Sequence, residues 1–290
     1  MEDDILCYNL FMAIPKRRLG RTGCEVTILG LGGEGILRTF GYEERAYRLI
    51  NRALDSGITY CESARAYSGS EGYYGRSLRE RRKEIFLASK SHARDRDGAL
   101  AQLQETLKNM RTDYLDLWQI HDVRTEDERE EIFGPKGALE AFVEAKEKGL
   151  ARFIGVTGHH DPSLVRRCIQ DYDFDTVLIP VNPAEPKYKS FIDGVIPLAT
   201  ERDMGIVGMK VYLRGLASRL PWYRTMEPFF RFALSHPVST AVVGCDTIEQ
   251  LEENVGFAET FRAINDKEMQ GLVDAFSPYA CELMYYKPSN

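Results

Sequence analysis

Four polar residues that could carry out proton transfer stand just after three short apolar runs. Glu62 and Tyr67 follow the first run, Lys90 the second and His121 the third. The runs span residues 59–61, 85–89 and 115–120. If they are parallel strands of a barrel, an acid, a phenol, an ammonium and an imidazole meet at the mouth where such barrels build active sites. The competing interpretation is a buried ion pair among satisfied polar side chains, because structural networks also gather such groups.

Short β-rich apolar runs alternate with longer amphipathic stretches from residue 27 onward. The runs are nearly continuous in apolar residues, which is typical of strands buried on both faces of a parallel sheet. Eight βα units in one chain favour an α/β fold of the closed (β/α)8 TIM-barrel type over a doubly wound sheet. The predicted strands are Thr27–Gly32, Thr59–Ser63, Ile85–Lys90, Leu115–His121, Phe153–Thr157, Thr176–Asn182, Gly205–Lys210 and Thr240–Cys245.

Helical periodicity and capping residues predict the connections between these strands. Asp161 precedes Pro162 and reads as an N-cap followed by proline at the first helical position. Thr247 and Gln250 have the spacing of a capping box. The predicted helices span Tyr42–Ser56, 97–110, Gly137–Lys148, Pro162 to about Gln170, and a segment that begins near Thr247.

The chain of 290 residues is predicted to be one domain with short extensions. Residues 1–15 form an N-terminal extension, and the segment after it reads as a hairpin that turns at Arg21–Gly23 and plugs the N-terminal end of the barrel. Two segments exceed what a connection requires, Asp122–Pro135 and the tail 277–290. Long loops of this kind carry substrate recognition or are solvated excursions.

Composition excludes several classes of partner. The net charge of −6 is spread along the chain, so no basic stripe indicates nucleic acid or an anionic membrane. No apolar run reaches the length of a membrane span, and the acidic start lacks the basic region of a signal peptide. Six cysteines are scattered without metal spacing, as expected of reduced thiols. These features predict a cytoplasmic protein, and they leave its oligomeric state open.

Several stretches, taken in order, resemble the aldo-keto reductase superfamily over nearly the whole chain. The middle of the sequence is similar to a bacterial branch, some of whose members carry a C-terminal iron–sulfur cluster. Only Cys281 lies in that region, so no cluster is expected. The matching stretches are 57–67, 69–71 with Gly75, 87–90, 114–121, 154–157, Gly244 and 250–254.

The resemblance implies an NAD(P)H-dependent carbonyl reductase with a tetrad of Asp, Tyr, Lys and His. Tyr67, Lys90 and His121 match three of these positions, whereas Glu62 stands where the family usually has Asp. A carbonyl that accepts hydride becomes an alkoxide and needs a proton, which Tyr67 would donate. Lys90 would lower the pKa of Tyr67, Glu62 would hold Lys90 charged, and His121 would orient the substrate oxygen.

Glu62 leaves a second function open. Its side chain is one methylene longer than Asp, so its carboxylate must fold back or displace Lys90. An NADP(H)-binding regulatory or scaffold protein with weak or no turnover is therefore the alternative to a working reductase. A metal-dependent barrel hydrolase ranks last, because the chain has few histidines.

The resemblance places the cofactor on the later strands. Thr157 and Asn182 would orient the nicotinamide, and Lys210 with its following loop would meet the pyrophosphate. The usual basic residues for a 2′-phosphate are absent at Gly244 and Gln250, so the family alone favours NADP(H) over NAD(H). The predicted cofactor-binding residues are Gly32, Gly33, Thr157, Asn182, Met209, Lys210, Arg214, Gly215, Gly244, Cys245, Asp246, Gln250, Glu253 and Asn254.

A small carbonyl compound is the predicted substrate. Its pocket is expected to be lined by Arg65, by the 122–135 segment and by residues 212–223, which include Trp222. Tyr285 and Tyr286 of the tail are expected to complete the lining. No metal site is predicted at His159 and His160, because adjacent histidines should point in different directions and no nearby carboxylate or cysteine completes a set.

Overall fold

The apolar runs form eight parallel strands that close into a barrel, each strand pairing with its neighbours in chain order. This computed structural model describes residues 13–287. The strands are β1 (Lys16–Arg18), β2 (Glu25–Thr27), β3 (Leu29–Gly35), β4 (Tyr60–Glu62), β5 (Phe86–Ser91), β6 (Leu115–Ile120), β7 (Ala151–Thr157), β8 (Thr176–Pro180), β9 (Gly205–Met209) and β10 (Thr240–Cys245). The last eight make the barrel, which β10 closes against β3. The predicted TIM-barrel fold is confirmed.

The first barrel strand departs most from its predicted limits. It was predicted over Thr27–Gly32 but runs over Leu29–Gly35. Thr27 belongs instead to β2, and Gly35 pairs with Cys245 beyond an irregularity in the β3–β10 register. Pairing with the last strand therefore sets where this strand ends.

Helices cover the outside of the barrel. The main apolar core lies between them and the strands, and includes a stacked pair of Trp118 and Phe142. The α-helices are α1 (Glu43–Asp55), α2 (Ser70–Ser77), α3 (Arg96–Met110), α4 (Glu126–Phe133), α5 (Ala138–Glu147), α6 (Pro162–Asp171), α7 (Phe191–Gly194), α8 (Ile196–Glu201), α9 (Glu227–Ser235), α10 (Ile248–Glu259), α11 (Asp266–Phe276) and α12 (Ala280–Leu283). Shorter 3-10 turns span Gly20–Thr22, Ile36–Arg38, Arg79–Glu84, Glu185–Lys187, Leu213–Arg219 and Ser277–Tyr279. In residues 13–287, no helix has the length and apolar character that crossing a bilayer requires.

Side-chain caps mark the helix starts that the sequence predicted. Asp161 accepts the amide hydrogen of Ser163 at the start of α6. Thr247 caps α10 by accepting from Gln250 N, but the Gln250 side chain accepts from Asp246 N rather than from Thr247. The first hydrogen bond of the predicted capping box is therefore present, whereas the second goes to the backbone N–H of the residue before the N-cap.

The long connection after β6 is more regular than expected. Predicted as a loop over Asp122–Pro135, it contains α4, whose N-cap Thr125 accepts from Glu128 N. An acidic first turn favours the helix through its dipole. The loop prediction is wrong over this helix.

The N-terminal hairpin closes the bottom of the barrel, as predicted. β1 and β2 pair in antiparallel register, and Leu19 and Val26 enter the apolar cluster inside the barrel with Tyr60 and Phe86. Gly20 has a φ of +49°, and a Cβ there would lie 2.1 Å from the Gly205 backbone nitrogen. Only glycine fits this contact. Residues 1–12 of the predicted extension lie outside the described residues.

Leu19→Ala is expected to lower the free energy of unfolding by about 2–5 kcal/mol, because it removes a large side chain from the packed barrel interior. Leu19 is fully buried. Urea unfolding followed by circular dichroism measures the change. The control Arg18→Ala removes an exposed ion pair with Asp203 and should cost less than about 1 kcal/mol. An equal loss of unfolding free energy in the two variants would contradict the conclusion that Leu19 packs inside the closed end of the barrel.

Candidate active site

The carboxyl ends of β4, β5 and β6 bring the four candidate catalytic residues to one mouth of the barrel. Glu62 ends β4, Lys90 lies near the end of β5, and His121 follows β6 directly. Tyr67 reaches the same place from the loop after β4. All four line one cavity of about 1170 Å³. It is called the cleft from here on.

Lys90 and Glu62 form a buried ion pair. Lys90 Nζ lies 2.7 Å from Glu62 Oε1 and donates to the Ser63 carbonyl at 2.9 Å. Glu62 Oε2 is 3.4 Å from both Tyr60 Oη and Gln119 Nε2. Two charges are tolerated out of water only when paired and hydrogen-bonded. The longer arm of Glu62 thus meets Lys90 at the distance of a direct hydrogen bond.

Two cations lie close to the Tyr67 ring. The Arg38 guanidinium is 5.2 Å and the Lys90 ammonium 5.3 Å from its ring centroid. Burial, with smaller effects of the Glu34 and Glu62 charges, raises the pKa of Tyr67 well above its usual value. The net direction is opposite to the lowering predicted from Lys90, because burial dominates and the ammonium is bonded to Glu62.

His121 faces Tyr67 edge-on, with 6.0 Å between the ring centroids. Its main chain is fixed by bonds from its N–H to Ser91 O and from Arg94 Nη1 to its carbonyl, both 2.8 Å. Burial, and next the Lys90 charge, lower the pKa of His121 well below its ordinary value. At neutral pH the imidazole is therefore uncharged, with one donor and one acceptor nitrogen.

Most of the predicted cofactor residues also line the cleft. They are Gly32, Gly33, Thr157, Met209, Lys210, Arg214, Gly215, Gly244, Asp246, Gln250, Glu253 and Asn254. The predicted set therefore forms a continuous surface with the four catalytic candidates, apart from Asn182 and Cys245.

Asn182 and Cys245, which were also predicted to bind the cofactor, do not line the cleft. Asn182 Nδ2 donates to Tyr286 Oη at 3.0 Å, and its Oδ1 accepts from Ala184 N. Cys245 is buried, with its Sγ 3.6 Å from Asn254 Nδ2. Neighbouring side chains occupy both residues, which the sequence spacing could not reveal.

A charged cluster that the sequence did not single out lies across the cleft. Glu34 contacts Arg38 at 2.6 Å and Arg214 at 3.1 Å. Burial opposes the ionised form of Glu34, but the two guanidinium groups outweigh it and lower its pKa. Burial lowers the pKa of the nearby Lys210 to about 8. The position of Glu34 directly after Gly32-Gly33 at the strand end was the available signal.

The C-terminal tail supplies one wall of the cleft. Tyr285 and Tyr286 line it, as predicted, and Lys210 Nζ lies 5.2 Å from the Tyr286 ring centroid. Tyr286 Oη and Lys287 Nζ donate to the two oxygens of buried Glu185 at 2.6 and 2.8 Å. Residues 288–290 of the predicted tail lie outside the described residues.

Two predicted substrate contacts are absent from the lining of this cleft. Arg65 instead pairs with Glu71 and Glu105, each at 2.9 Å. Trp222 packs edge-on against Phe229 and Phe276. Both side chains are held by these partners and do not line the cleft.

His159 and His160 do not diverge as predicted. Their ring centroids are 4.4 Å apart. Both rings approach Asp122, with His159 Nδ1 3.3 Å from Oδ1 and His160 Nε2 3.5 Å from Oδ2. The sequence argument failed because the carboxylate comes from the end of the neighbouring strand. Burial, and next the Lys210 charge, lower the pKa of His159 to about 3.

An eight-stranded parallel barrel with an acid, a phenol, an ammonium and an imidazole at its mouth is the architecture of an oxidoreductase family. The Aldo/keto reductase family model matches residues 28–230. The chain belongs to this family, and it is an oxidoreductase.

Individual relatives are distant in sequence. The chain is 23% identical to the uncharacterized oxidoreductase YqkF of Bacillus subtilis, over 89% of this chain and 95% of that one. The holo form of aldo-keto reductase AKR11C1 from Bacillus halodurans superposes with a TM-score of 0.76 at 23% identity, covering 90% and 96% of the two chains. An aldo-keto reductase from Klebsiella pneumoniae, in complex with NADPH, gives 0.73 at 18% identity, covering 92% and 96%. These structural likenesses establish the fold.

Proposed function

We propose that the protein is an NAD(P)H-dependent reductase that converts an aldehyde or ketone to an alcohol, with Tyr67 as the proton donor. The observation that carries this proposal is the buried pair of Lys90 and Glu62, 2.7 Å apart, beneath the Tyr67 ring. Such an expensive arrangement is typical of a site that needs a fixed positive charge.

The cleft fits a dinucleotide. Gly32, Gly33 and Gly244 line it without side chains, and Lys210 and Arg214 add the cations that a pyrophosphate needs. Arg214 is already paired with Glu34, so an incoming phosphate would compete with that carboxylate. When bound, a reduced nicotinamide supplies hydride to the carbonyl carbon.

A preference for NADP(H) over NAD(H) is supported by a cation outside the cleft. Arg45 donates to the Asp246 carbonyl at 3.0 Å, beside the start of α10. It brings positive charge to the region where Gly244 and Gln250 provide none. Arginine is well suited to a 2′-phosphate because its planar fork binds phosphate oxygens in pairs.

Tyr67 would pass its hydroxyl proton to the carbonyl oxygen as the alkoxide forms. The raised pKa keeps Tyr67 protonated before reaction. An alkoxide is a stronger base than a phenolate, so the transfer is favourable. Arg38 and Lys90, both close to the ring, would stabilise the phenolate that remains. Neutral His121 would donate a hydrogen bond to the same oxygen.

The substrate is proposed to be a small carbonyl compound, bound between the aromatic wall of Tyr285 and Tyr286 and the basic side chains of Arg94 and Arg124. No nucleic-acid or membrane partner is proposed. A cytoplasmic location is kept as a prediction, consistent with the free thiols of Cys24, Cys61, Cys168, Cys245 and Cys281.

Tyr67→Phe is expected to lower kcat by at least about 100-fold, because it removes the proton donor. NADPH oxidation with a panel of aldehydes measures the change. Tyr47→Phe, the same substitution on the exposed face of α1, serves as the control and should keep full activity. If wild type binds NADPH but oxidises it no faster than Tyr67→Phe with every aldehyde, the protein is a cofactor-binding regulator or scaffold instead.

Glu62→Asp is expected to change kcat by no more than about tenfold, or ~1.4 kcal/mol, because Glu62 already contacts Lys90 directly. Glu62→Gln is the matched comparison, since it keeps the length and removes the charge. It should slow turnover more than Glu62→Asp does. A large gain of activity in Glu62→Asp would mean that the native pair is misplaced for catalysis.

NADPH affinity is expected to weaken as the pH rises through about 8, because Lys210 loses its proton there in the cofactor-free protein. An anion binds the protonated ammonium more tightly, so Kd increases on the alkaline side. Fluorescence titration with NADPH at pH values on both sides of 8 measures this dependence. Lys210→Arg should remove it, because a guanidinium stays charged throughout. An unchanged dependence in that variant would assign the titration to another group.

A further inference from the structure

We propose that Asp122, His159 and His160 form a binding site for a divalent transition-metal ion, with Zn²⁺ as the best fit, at the edge of the cleft. Each residue offers one ligand atom, and the three atoms lie within 4.8 Å of one another. Two imidazoles and a carboxylate are a common ligand set for zinc in proteins.

The separation of His159 Nδ1 and Asp122 Oδ1 suits a tetrahedral ion. Two ligands at about 2.0–2.1 Å from zinc stand roughly 3.3–3.4 Å apart at the tetrahedral angle. His159 Nδ1 is 3.3 Å from Asp122 Oδ1, and His160 Nε2 is 3.5 Å from Oδ2. All three ligand atoms lie within 4.8 Å of one another, so the most distant pair would have to approach by up to about 1.5 Å to close the set around one ion.

Two of the ligand atoms lack another use. Asp122 Oδ1 and His160 Nε2 are buried and accept or donate no hydrogen bond within residues 13–287. Asp122 is 5% exposed, so its unpartnered oxygen is expensive to leave unsatisfied. A metal ion would satisfy both atoms at once.

The backbone holds the carboxylate in position. Asp122 has a left-handed φ of +54° and donates its N–H to Thr157 Oγ1 at 2.7 Å. Val123 N donates to the Thr157 carbonyl at 3.0 Å. These bonds join the end of β6 to the end of β7, just before the two histidines. Residues in sparsely populated conformations often mark functional sites.

Arg124 completes the surroundings of the carboxylate. Its Nε lies 2.6 Å from Asp122 Oδ2, which leaves Oδ1 for the metal. Hydrogen bonds to ligating carboxylates from outer residues are a regular feature of metal sites. Three protein ligands leave a fourth position, and Asp122 and His159 both line the cleft. Water or a substrate oxygen could take that position.

Isothermal titration of the metal-free protein with Zn²⁺ tests the proposal, independently of any reductase activity. Wild type should bind one ion per chain. His159→Ala, His160→Ala and Asp122→Asn should each weaken binding by at least about tenfold, since even outer-sphere changes have effects of that size. Zn²⁺ should also raise the Tm of wild type by more than it raises the Tm of the variants. Melting without metal checks that each variant is folded.

Two control variants separate this site from other ligands of zinc. His92 lies elsewhere in the cleft lining, and Cys281 is an exposed free thiol. His92→Ala and Cys281→Ser should bind Zn²⁺ like wild type. Absence of one-to-one binding by wild type would overturn the proposal. So would a loss of binding in either control as large as that in His159→Ala.

Discussion

The catalytic mouth depends on the buried ion pair between Lys90 and Glu62. Neither charge would be tolerated alone at this depth, so each residue requires the other. The pair bridges β4 and β5, whose backbone bonds also close the barrel, so the same register that builds the fold positions the ammonium. The ammonium of Lys90 near the Tyr67 ring is therefore held in place by Glu62 and the Ser63 carbonyl. Tyr67, the ammonium close to its ring and the barrel wall are therefore held by one set of contacts.

Contacts between distant parts of the chain shape the rest of the cleft. Glu34 and Arg214 are 180 residues apart in sequence and meet at the cleft. Tyr286 and Lys287 hold the tail against Glu185, about a hundred residues earlier. The tail thereby places Tyr286 on Asn182, so that the tail and the loop after β8 share one hydrogen bond. The loops are tied by buried polar bonds as well as by apolar packing.

Local patterns predicted the architecture well because they report local physics. Buried parallel strands read as continuous apolar runs, and caps such as Asp161 act within one helical turn. Strand order along the chain was enough to bring Glu62, Tyr67, Lys90 and His121 together. The predictions that failed concern burial and pairing. The pKa of Tyr67 depends mainly on desolvation. Asp122 lies close to the two histidines because the strands that precede them are neighbours in the barrel.

The sequence by itself determined the (β/α)8 barrel, the family and the residue types at its mouth, because periodicity, caps and spacing are encoded over a few residues at a time. Only the tertiary structure decided how those residues act. It buried Glu62 with Lys90, turned Asn182 towards Tyr286 and brought Asp122 against His159. Charge, pKa and coordination depend on distances between side chains that the chain order does not specify, since they are set when the strands close into a ring.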